Sequence, residues 1–418
     1  MTTDDREPGA GASFLSGREA AALLGVKRET LYAYASRGLV RSEPLGAGRG
    51  RRYNREDLER LKARHDARAG HGAVAAGALR WGEPVLESAL TAIDPAGPRY
   101  RGHAAADLAA TTGFEAVAEL LWSGVLPGSE PRWQVAGVGV RVASLTALLP
   151  AAAPPLLTLA LAVPALGAAD PGRFDAATGP ETARARALIF RMAALAGAGL
   201  DAAQVRLAWS EPDVAGALLV SLGVTATPRA RALMNRALVL CADHELNASA
   251  FAVRVAASAG ADLYACVSAG LAALSGPRHG GVVERVEALI GAVGRPERAR
   301  EVVHDRARRG EEVPGFGHPL YPAGDPRGAL LLAAAGEHAP RSPRLRAIQA
   351  IVAAMREAGR EPPSLDMGLA STGAALGLPP RTSAAIFAVG RAAGWLAHAL
   401  EQRAAGFLLR PRARYVGP

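Results

Sequence analysis

One stretch of small residues bracketed by two histidines, Cys241–Gly281, constrains this chain more than any other feature. Its interior consists mainly of Ala, Val, Leu, Ser and Gly, so helices built from it can pack closely. His244 stands near one end, and His279 stands near the other, directly before two glycines that let a ligand approach the backbone. The pattern indicates a buried helical hairpin that offers an imidazole at each end, which is more than a core requires.

Four segments resemble the hallmark motifs of the citrate synthase family and occur in the family's order. ADHELNAS at residues 242–249 and GPRHGG at residues 276–281 match the family's first two motifs. GFGH at residues 315–318, which runs on to DPR at residues 325–327, is similar to the second histidine segment. PSLD at residues 363–366 looks like the catalytic aspartate loop. One such motif would be a weak signal, whereas four in order are a strong one.

The body of the chain is predicted to be all-α. A length of 418 residues suffices for two or three domains with a large core. Almost no stretch alternates apolar and polar residues as a strand would, and aromatic residues make up only 5% of the chain. The resemblance covers residues 79–418 and likewise implies a citrate synthase-like helical fold. It implies a large domain and a small one at about residues 282–387 that closes over the substrates.

Residues 13–68 are predicted to form a separate unit, joined to the body by a Gly- and Ala-rich linker at residues 69–78. Ser16 and Glu19 have the capping-box spacing, and Asn54 is placed to cap a later helix. Helix, tight turn, helix and basic hairpin resemble the winged helix-turn-helix module of MerR or excisionase type. The resemblance implies DNA contacts from Lys27, Arg28, Thr30, Tyr34, Arg49, Arg51 and Arg52. A small docking domain with solvated arginines is the alternative.

Composition narrows the remaining function classes. The net charge of +9 would suit nucleic acid or anionic ligands, although it is almost entirely arginine in a chain rich in Ala, Gly and Pro. Cys241 and Cys266 lie in apolar contexts, which predicts no disulfide framework and a cytoplasmic location. Nothing near Cys241 and His244 completes a zinc site, so no metal is expected. Prolines break the longest apolar stretch, Pro150–Ala169, so no membrane span is expected.

The family's reaction joins an acyl-CoA carbon to the keto carbon of oxaloacetate and then hydrolyses the thioester. The resemblance implies that Asp366 is the base, that His279 donates to the thioester enolate and that His318 polarises the ketone. It implies that the oxaloacetate carboxylates are bound by His244, Arg327, Arg391 and Arg410. Arg410 would come from the other subunit of a homodimer. No cofactor is expected, because the CoA thioester is a substrate.

Five of these residues also have a plain structural interpretation. Asp366 could be the N-cap of a helix, and His279 could cap a turn. Arg327 and Arg391 could form surface ion pairs, and Arg410 could belong to a basic C-terminal tail. The occurrence of all four motifs in the family's order favours the chemical interpretation.

The segment after His318 departs from the family pattern. Residues 319–324 read PLYPAG, with no cation where family members usually carry an Arg or Lys for the CoA phosphates. Arg306, Arg308 and Arg309 lie slightly upstream as candidate substitutes. This departure does not affect the residues expected to bind oxaloacetate, but it leaves open the identity and affinity of the acyl-CoA.

The function expected from the sequence is a condensing acyltransferase that joins acetyl-CoA to oxaloacetate through an enolate and gives citrate and CoA. One alternative is a 2-methylcitrate synthase that uses propionyl-CoA. The other is a non-catalytic regulator that binds DNA and senses oxaloacetate. The presence of Asp366, His279 and His318 favours an enzyme, because a sensor has no need of a base.

Overall fold

A computed structural model of the chain describes residues 14–44, residues 51–62 apart from 56 and 60, and residues 86–418 apart from 151, 152, 198, 414, 416 and 418. The chain divides into two compact units between Glu87 and Ser88. The linker expected at residues 69–78 and the predicted phosphate contact Arg49 lie outside the described residues.

The first unit combines a small antiparallel sheet with helices. Its elements are β1 (Phe14–Ser16), α1 (Gly17–Leu24), α2 (Arg28–Ser36), β2 (Ser42–Pro44) and β3 (Arg51–Asn54). The strands pair antiparallel in the order β1-β3-β2, and the described residues between 55 and 62 are helical. Two helices joined by a tight turn and followed by a β-hairpin are the arrangement that the sequence predicts.

Local signals in the sequence set the ends of these helices. The Ser16 hydroxyl accepts the Glu19 N–H at 3.3 Å, and the Glu19 carboxylate accepts the Ser16 N–H at 2.8 Å, which confirms the predicted capping box. Gly25 ends α1 with a left-handed φ of 63°. The Asn54 side-chain oxygen accepts the Asp57 N–H at 3.1 Å and caps the following helical segment. The small core comprises Ala20, Ala21, Leu31, Val40, Tyr53 and Leu58.

The second unit is helical apart from a three-stranded antiparallel sheet at its start, which confirms the all-α prediction for the body. The sheet consists of β4 (Thr91–Asp94), β5 (Gly97–Tyr100) and β6 (His103–Ala104), in that order. The first ten helices are α3 (Ala105–Thr111), α4 (Phe114–Ser123), α5 (Val142–Thr146), α6 (Pro155–Ala169), α7 (Thr178–Leu195), α8 (Ala202–Trp209), α9 (Val214–Ser221), α10 (Pro228–Cys241), α11 (Ala248–Ser258) and α12 (Leu263–Leu274).

The remaining helices follow the GPRHGG motif. They are α13 (Val282–Val293), α14 (Ala299–Arg308), α15 (Pro326–His338), α16 (Pro343–Glu357), α17 (Leu365–Ala375) and α18 (Ser383–Ala405), with a 3₁₀ turn at Pro296–Arg298. In the described part of the chain, no helix has the length and apolar character needed to cross a membrane.

The predicted hairpin of small residues is confirmed as α11 and α12. Asn247 caps α11 by accepting the N–H groups of Ser249 and Ala250, each at 3.1 Å. Asp262 caps α12 by accepting the Ala265 N–H at 2.9 Å. The two helices pack against each other and against α18, so the hairpin lies in the large core.

α18 is the central helix of this core, and every residue from 383 to 399 is buried. It lies unusually close to the end of α10, because a Cβ on Gly390 would stand 2.8 Å from the Leu238 carbonyl oxygen. A Cβ on Gly394 would stand 2.4 Å from the Ala242 carbonyl oxygen. Glycine at both positions therefore lets α18 pack directly behind the segment that carries His244.

A second apolar core lies between α13, α14, α16 and α17. Its buried members include Val286, Ile290, Ile348 and Met367, and all of them lie between residues 286 and 374. This range falls within the stretch 282–387 that the resemblance assigns to a small domain. Because α17 also packs against α15 and α18, the second core adjoins the first.

Candidate active site

Backbone hydrogen bonds hold the two loops before His318 and Asp366 side by side. The Gly317 N–H donates to the Pro362 carbonyl at 2.9 Å, and the Ser364 N–H donates to the Gly315 carbonyl at 2.9 Å. Gly315 and Gly317 adopt positive φ values of 88° and 75°, which a residue with a side chain would adopt only under strain. Residues almost 50 positions apart in sequence are thereby fixed in one region.

His244 and His318 contact each other in this region. Their ring centroids lie 5.3 Å apart in an edge-to-face arrangement. The Leu320 N–H donates to His318 Nδ1 at 3.2 Å, so a neutral His318 ring carries its proton on Nε2. Burial and the positive charge of Arg327 lower the pKa of His318 to about 4. The ring is therefore neutral at pH 7 and can donate a hydrogen bond from Nε2.

Tyr321 is a site residue that sequence reasoning missed. Its hydroxyl lies 2.8 Å from His244 Nε2, and its ring lies 5.0 Å from the His318 ring. The guanidinium carbon of Arg327 stands 5.6 Å from the centroid of the Tyr321 ring. The only sequence signal for this role was the position of the tyrosine, three residues after His318. That spacing does not indicate that Tyr321 contacts His244.

Arg327 forms a buried ion pair rather than the surface pair considered for it. The Asp325 carboxylate accepts its Nε–H at 3.0 Å and its Nη2–H at 2.8 Å, and both side chains are almost fully buried. Burial raises the pKa of Asp325, but pairing with Arg327 outweighs it and the pKa falls below its usual value. Asp325 also accepts the Leu365 N–H at 3.1 Å, which ties α15 to the start of α17. The pairing leaves Nη1 of Arg327 for another acceptor.

Arg391 is buried without such a partner, so the surface ion pair considered for it is also wrong. Its Nε–H donates to the Cys241 carbonyl at 2.7 Å, and its guanidinium carbon lies 4.9 Å from the Phe387 ring centroid. Within the described part of the chain, no carboxylate forms an ion pair with it. Burial lowers the pKa of Arg391. A buried cation that lacks a carboxylate is suited to bind an anionic ligand.

His279 is oriented by the Ser249 hydroxyl, whose oxygen lies 2.8 Å from His279 Nε2. The same oxygen accepts the indole N–H of Trp395 at 3.0 Å. The Ser249 hydroxyl also donates to the Asn247 side-chain oxygen at 2.7 Å, so its contact with Nε2 orients the His279 ring without fixing which ring nitrogen carries the proton. Burial and the charge of Arg391 lower the pKa of His279 to about 4. His279 can therefore act as a neutral donor, and sequence reasoning missed the roles of Ser249 and Trp395.

Asp366 lies in the first turn of α17, but it is not the N-cap that its alternative interpretation required. Ser364 is the N-cap, and its hydroxyl accepts the Asp366 N–H at 3.3 Å. The same hydroxyl donates to the Asp366 carboxylate at 3.1 Å. Burial raises the pKa of Asp366 to about 6, against the opposing effects of Ser364 and Arg327. Near pH 7 it is an ionised carboxylate with the basicity of a useful proton acceptor.

His244 links the motifs electrostatically. Burial lowers its pKa well below the usual value, and the charges of Arg327 and Arg391 lower it further. His318 and His279 contribute in the same direction, so both lie within electrostatic range of His244. Two buried cations, Arg327 and Arg391, and two further imidazoles are thus gathered around the neutral His244 ring.

Two parts of the chain match models of known protein families. Residues 78–412 match the family model described as citrate synthase, C-terminal domain. The chain belongs to the citrate synthase family. Residues 14–66 match a helix-turn-helix domain model.

Two curated relatives are similar to this chain in sequence. A 2-methylcitrate synthase of Mycobacterium tuberculosis (strain H37Rv) is 32% identical over 337 residues, which cover 76% of this chain and 84% of that protein. Citrate synthase 2 of Bacillus subtilis is 39% identical over 191 residues, which cover 44% of this chain and only 50% of that protein. These similarities place the chain among citrate synthase-like enzymes.

Two solved structures share the fold. The citrate synthase of Thermotoga maritima gives a TM-score of 0.66 at 25% identity and covers 81% of this chain and 94% of its own. The citrate synthase of Thermoplasma acidophilum, solved with carboxymethyl coenzyme A and oxaloacetate, gives a TM-score of 0.69 at 26% identity. That match covers 80% of this chain and 94% of the other.

The remaining predicted residues lie elsewhere in this citrate synthase family member. Arg410 is exposed on the segment after α18, where the neighbouring Leu409 N–H donates to the Ser258 hydroxyl at 3.1 Å. The candidate CoA-phosphate cations are already paired, Arg306 and Arg309 with Glu311 at 3.5 and 2.5 Å, and Arg308 with Asp305 at 3.1 Å. Among the described residues, no group of three or more His, Cys, Asp or Glu side chains is arranged to hold a metal ion.

The predicted DNA contacts in the first unit are divided between exposed and packed positions. Lys27 and Arg28 are exposed at the start of α2, whereas Tyr34 packs against the small core. Thr30 is half-buried. Arg51 donates to the Ser42 hydroxyl at 3.1 Å, and Arg52 pairs with Glu43 at 3.2 Å.

The raised pKa of Asp366 predicts a pH-dependent gain in stability for Asp366→Asn. As the pH rises from about 4 to about 6, the unfolded carboxyl ionises while the folded one keeps its proton, so the free energy of unfolding falls. An amide avoids this loss. We expect the variant to be more stable than the wild type by about 1–2 kcal/mol at pH 7.5, with the difference vanishing near pH 4. Urea unfolding at both pH values measures this, and a variant less stable than the wild type at pH 7.5 would contradict it.

Proposed function

We propose that this protein condenses acetyl-CoA with oxaloacetate through an enolate and releases citrate and CoA. The observation that carries the proposal is electrostatic. Two imidazoles are held neutral, at pKa values of about 4, in the same region as a carboxyl whose pKa is raised to about 6. Such a separation of pKa values suits a base and neutral donors for an enolisation and supports these proposed roles.

In the proposed reaction, the Asp366 carboxylate takes a proton from the methyl carbon of the thioester. The neutral His279 ring donates a hydrogen bond to the thioester oxygen as negative charge develops on it. The resulting enolate carbon attacks the keto carbon of oxaloacetate, whose oxygen is polarised and then protonated by the Nε2–H of His318. Water hydrolyses the citryl thioester to citrate and CoA.

The keto-diacid is expected to bind to the buried cations. Arg391 has no carboxylate partner among the described residues, and Arg327 retains Nη1 beyond its pair with Asp325. Guanidinium groups suit carboxylates because their N–H donors match the two oxygens. His244, fixed between Tyr321 and His318, supplies a neutral polar contact beside them.

Two acyl-CoA donors are compatible with the comparisons. One relative is named a 2-methylcitrate synthase and another a citrate synthase, so both propionyl-CoA and acetyl-CoA are candidates. The paired state of Arg306, Arg308 and Arg309 reduces the attraction that they can offer to CoA phosphates. Acetyl-CoA remains the proposed donor, and direct assay of both decides the choice.

Asp366→Asn is expected to reduce turnover by about 10³-fold, because it removes the base but keeps the shape of the side chain. In the wild type the rate should fall below pH about 6, as Asp366 takes up a proton. Thiol release from acetyl-CoA and from propionyl-CoA with oxaloacetate measures both effects. Asp107→Asn, an exchange of an exposed carboxylate on α3, is the matched control and should retain full activity. No thiol release by the wild type with either donor would refute the proposed function.

We further propose that the active unit is a homodimer in which Arg410 enters the partner's site. In support, Arg410 is exposed, and the adjacent apolar side chains Phe407 and Leu408 are 50% and 56% exposed. A second copy of this chain would cover that apolar surface and receive the cation.

Mixing two inactive variants tests whether Arg410 acts in trans. An Arg410→Ala chain keeps Asp366, and an Asp366→Asn chain keeps Arg410. A mixed dimer then contains one complete site only if Arg410 crosses to the partner. Co-expression or joint refolding at equal amounts should restore about a quarter of wild-type activity. If Arg410 acts within its own chain, no mixture regains activity.

DNA is the second proposed partner, through the helix-turn-helix unit. The match of residues 14–66 to a helix-turn-helix model and the exposed Lys27 and Arg28 at the start of α2 support it. Such a position is where a recognition helix meets the major groove. DNA binding would be an additional property of the enzyme rather than a replacement for catalysis.

Arg28→Ala is expected to weaken binding of the full chain to a random-sequence DNA duplex and to lower the salt dependence by about one unit of slope. Fluorescence anisotropy over a salt series measures both. Arg18→Ala, which removes an exposed arginine from α1, is the control and should change binding less. Binding that is absent at low salt, or insensitive to Arg28, would contradict this proposal.

A further inference from the structure

A row of buried polar side chains lies behind His244, outside the groups assigned to the chemistry. His398 and Asp243 are 0% exposed and Arg254 is 2% exposed. Burial of charged groups is unfavourable unless partners satisfy them, and incomplete networks are strongly destabilising. The large core around them is built from apolar residues, so these groups call for a role beyond packing.

The row has a defined hydrogen-bond direction. Arg254 Nε–H donates to His398 Nδ1 at 3.0 Å. Because arginine has only donors, Nδ1 must be an acceptor, and a neutral His398 ring carries its proton on Nε2. Nε2 faces Asp243 Oδ1 at 3.3 Å, a contact too poorly aligned for a full hydrogen bond and therefore mainly electrostatic. The chain of contacts runs from Arg254 through His398 to Asp243.

Asp243, which precedes His244 in the chain, also holds Glu245, the residue that follows it. Its Oδ2 accepts the Thr91 hydroxyl at 2.6 Å and the Glu245 N–H at 3.2 Å. Glu245 adopts a φ of 54°, which is unfavourable for a residue with a side chain and needs support from its surroundings. His244 therefore lies between a fully buried aspartate and a strained residue that the aspartate holds.

The other end of the row reaches the beginning of the second unit. Arg254 pairs with Glu401. Glu401 accepts the Ser88 hydroxyl and the Ala89 N–H, each at 2.8 Å. Thr91 then contacts Asp243 directly. Polar contacts that converge on Asp243 thus join three parts of the second unit: its first residues, helix α11 and helix α18.

We propose that Arg254, His398 and Asp243 form a positioning brace that sets the His244 imidazole for binding of the keto-diacid. The identity of the ligand, a keto-diacid, rests on the proposed function. The positioning of the His244 ring by these three residues does not depend on it. None of the three brace residues touches the substrate. They act through the backbone of residues 243–245, and the brace determines how well the diacid binds rather than the proton transfer at the thioester.

The kinetic test uses His398→Phe, which removes both ring nitrogens. The expected result is a rise of tenfold or more in KM for oxaloacetate, a much smaller change in KM for the acyl-CoA, and partial recovery in His398→Gln, which keeps a donor toward Asp243. Tyr264→Phe is the matched control, because it removes a buried hydroxyl that donates to Asp170 at 2.9 Å and does not contact His244. It should lower the melting temperature without changing KM for oxaloacetate.

A second readout does not depend on turnover. In the ligand-free full chain labelled with ¹⁵N-histidine, the His244 ring signals are identified by their loss in His244→Gln. They should shift in His398→Phe and stay in place in Tyr264→Phe. Unshifted His244 signals in His398→Phe would overturn the brace, and so would a KM for oxaloacetate that changes no more than in the control. If the wild type neither turns over nor binds oxaloacetate, the proposed function fails, and the ring signals alone decide the positioning of His244.

Discussion

The structure depends on the close approach of α18 to the chain around His244. The Gly394 N–H donates to the Ala242 carbonyl at 2.9 Å, at a place where a single Cβ would create a severe clash. On the same helix, Arg391, Trp395 and His398 contact residues beside the two histidine segments. Their partners are Cys241, Ser249 and Asp243. The spacing of the three helix residues, by four and three positions, puts them on one face of the helix. One buried helix therefore fixes both imidazole segments at the ends of the small-residue hairpin.

The charges of the site would complement a dianionic ligand. Arg327 is neutralised in part by Asp325, whereas Arg391 is buried against a backbone carbonyl and an aromatic ring. Burial, reinforced by this positive charge, lowers the pKa values of the nearby imidazoles and keeps them neutral, which suits donors to a developing negative charge. The same excess is unfavourable in the empty site, so a ligand that carries two carboxylates would stabilise the folded protein by mass action.

The motifs indicated most of the site residues, whereas the contacts between those residues came only from the structure. The ordered motifs pointed to His244, His279, His318 and Asp366, and the structure places all four segments in one region; their roles remain proposals. Tyr321 was missed because its importance lies in the contact with His244, 77 positions away. The N-cap alternative for Asp366 was wrong because Ser364, two residues earlier, has the hydroxyl that accepts the N–H.

The sequence by itself determined the family, the helical character of the body, the winged helix-turn-helix order and the capping box at Ser16. These are local properties, since period, turn residues and capping spacing act over a few positions. Only the tertiary structure decided the protonation of the imidazoles, the partner of each arginine and the raised pKa of Asp366. Those depend on burial and on charges contributed by distant segments, and both arise only when the helices pack.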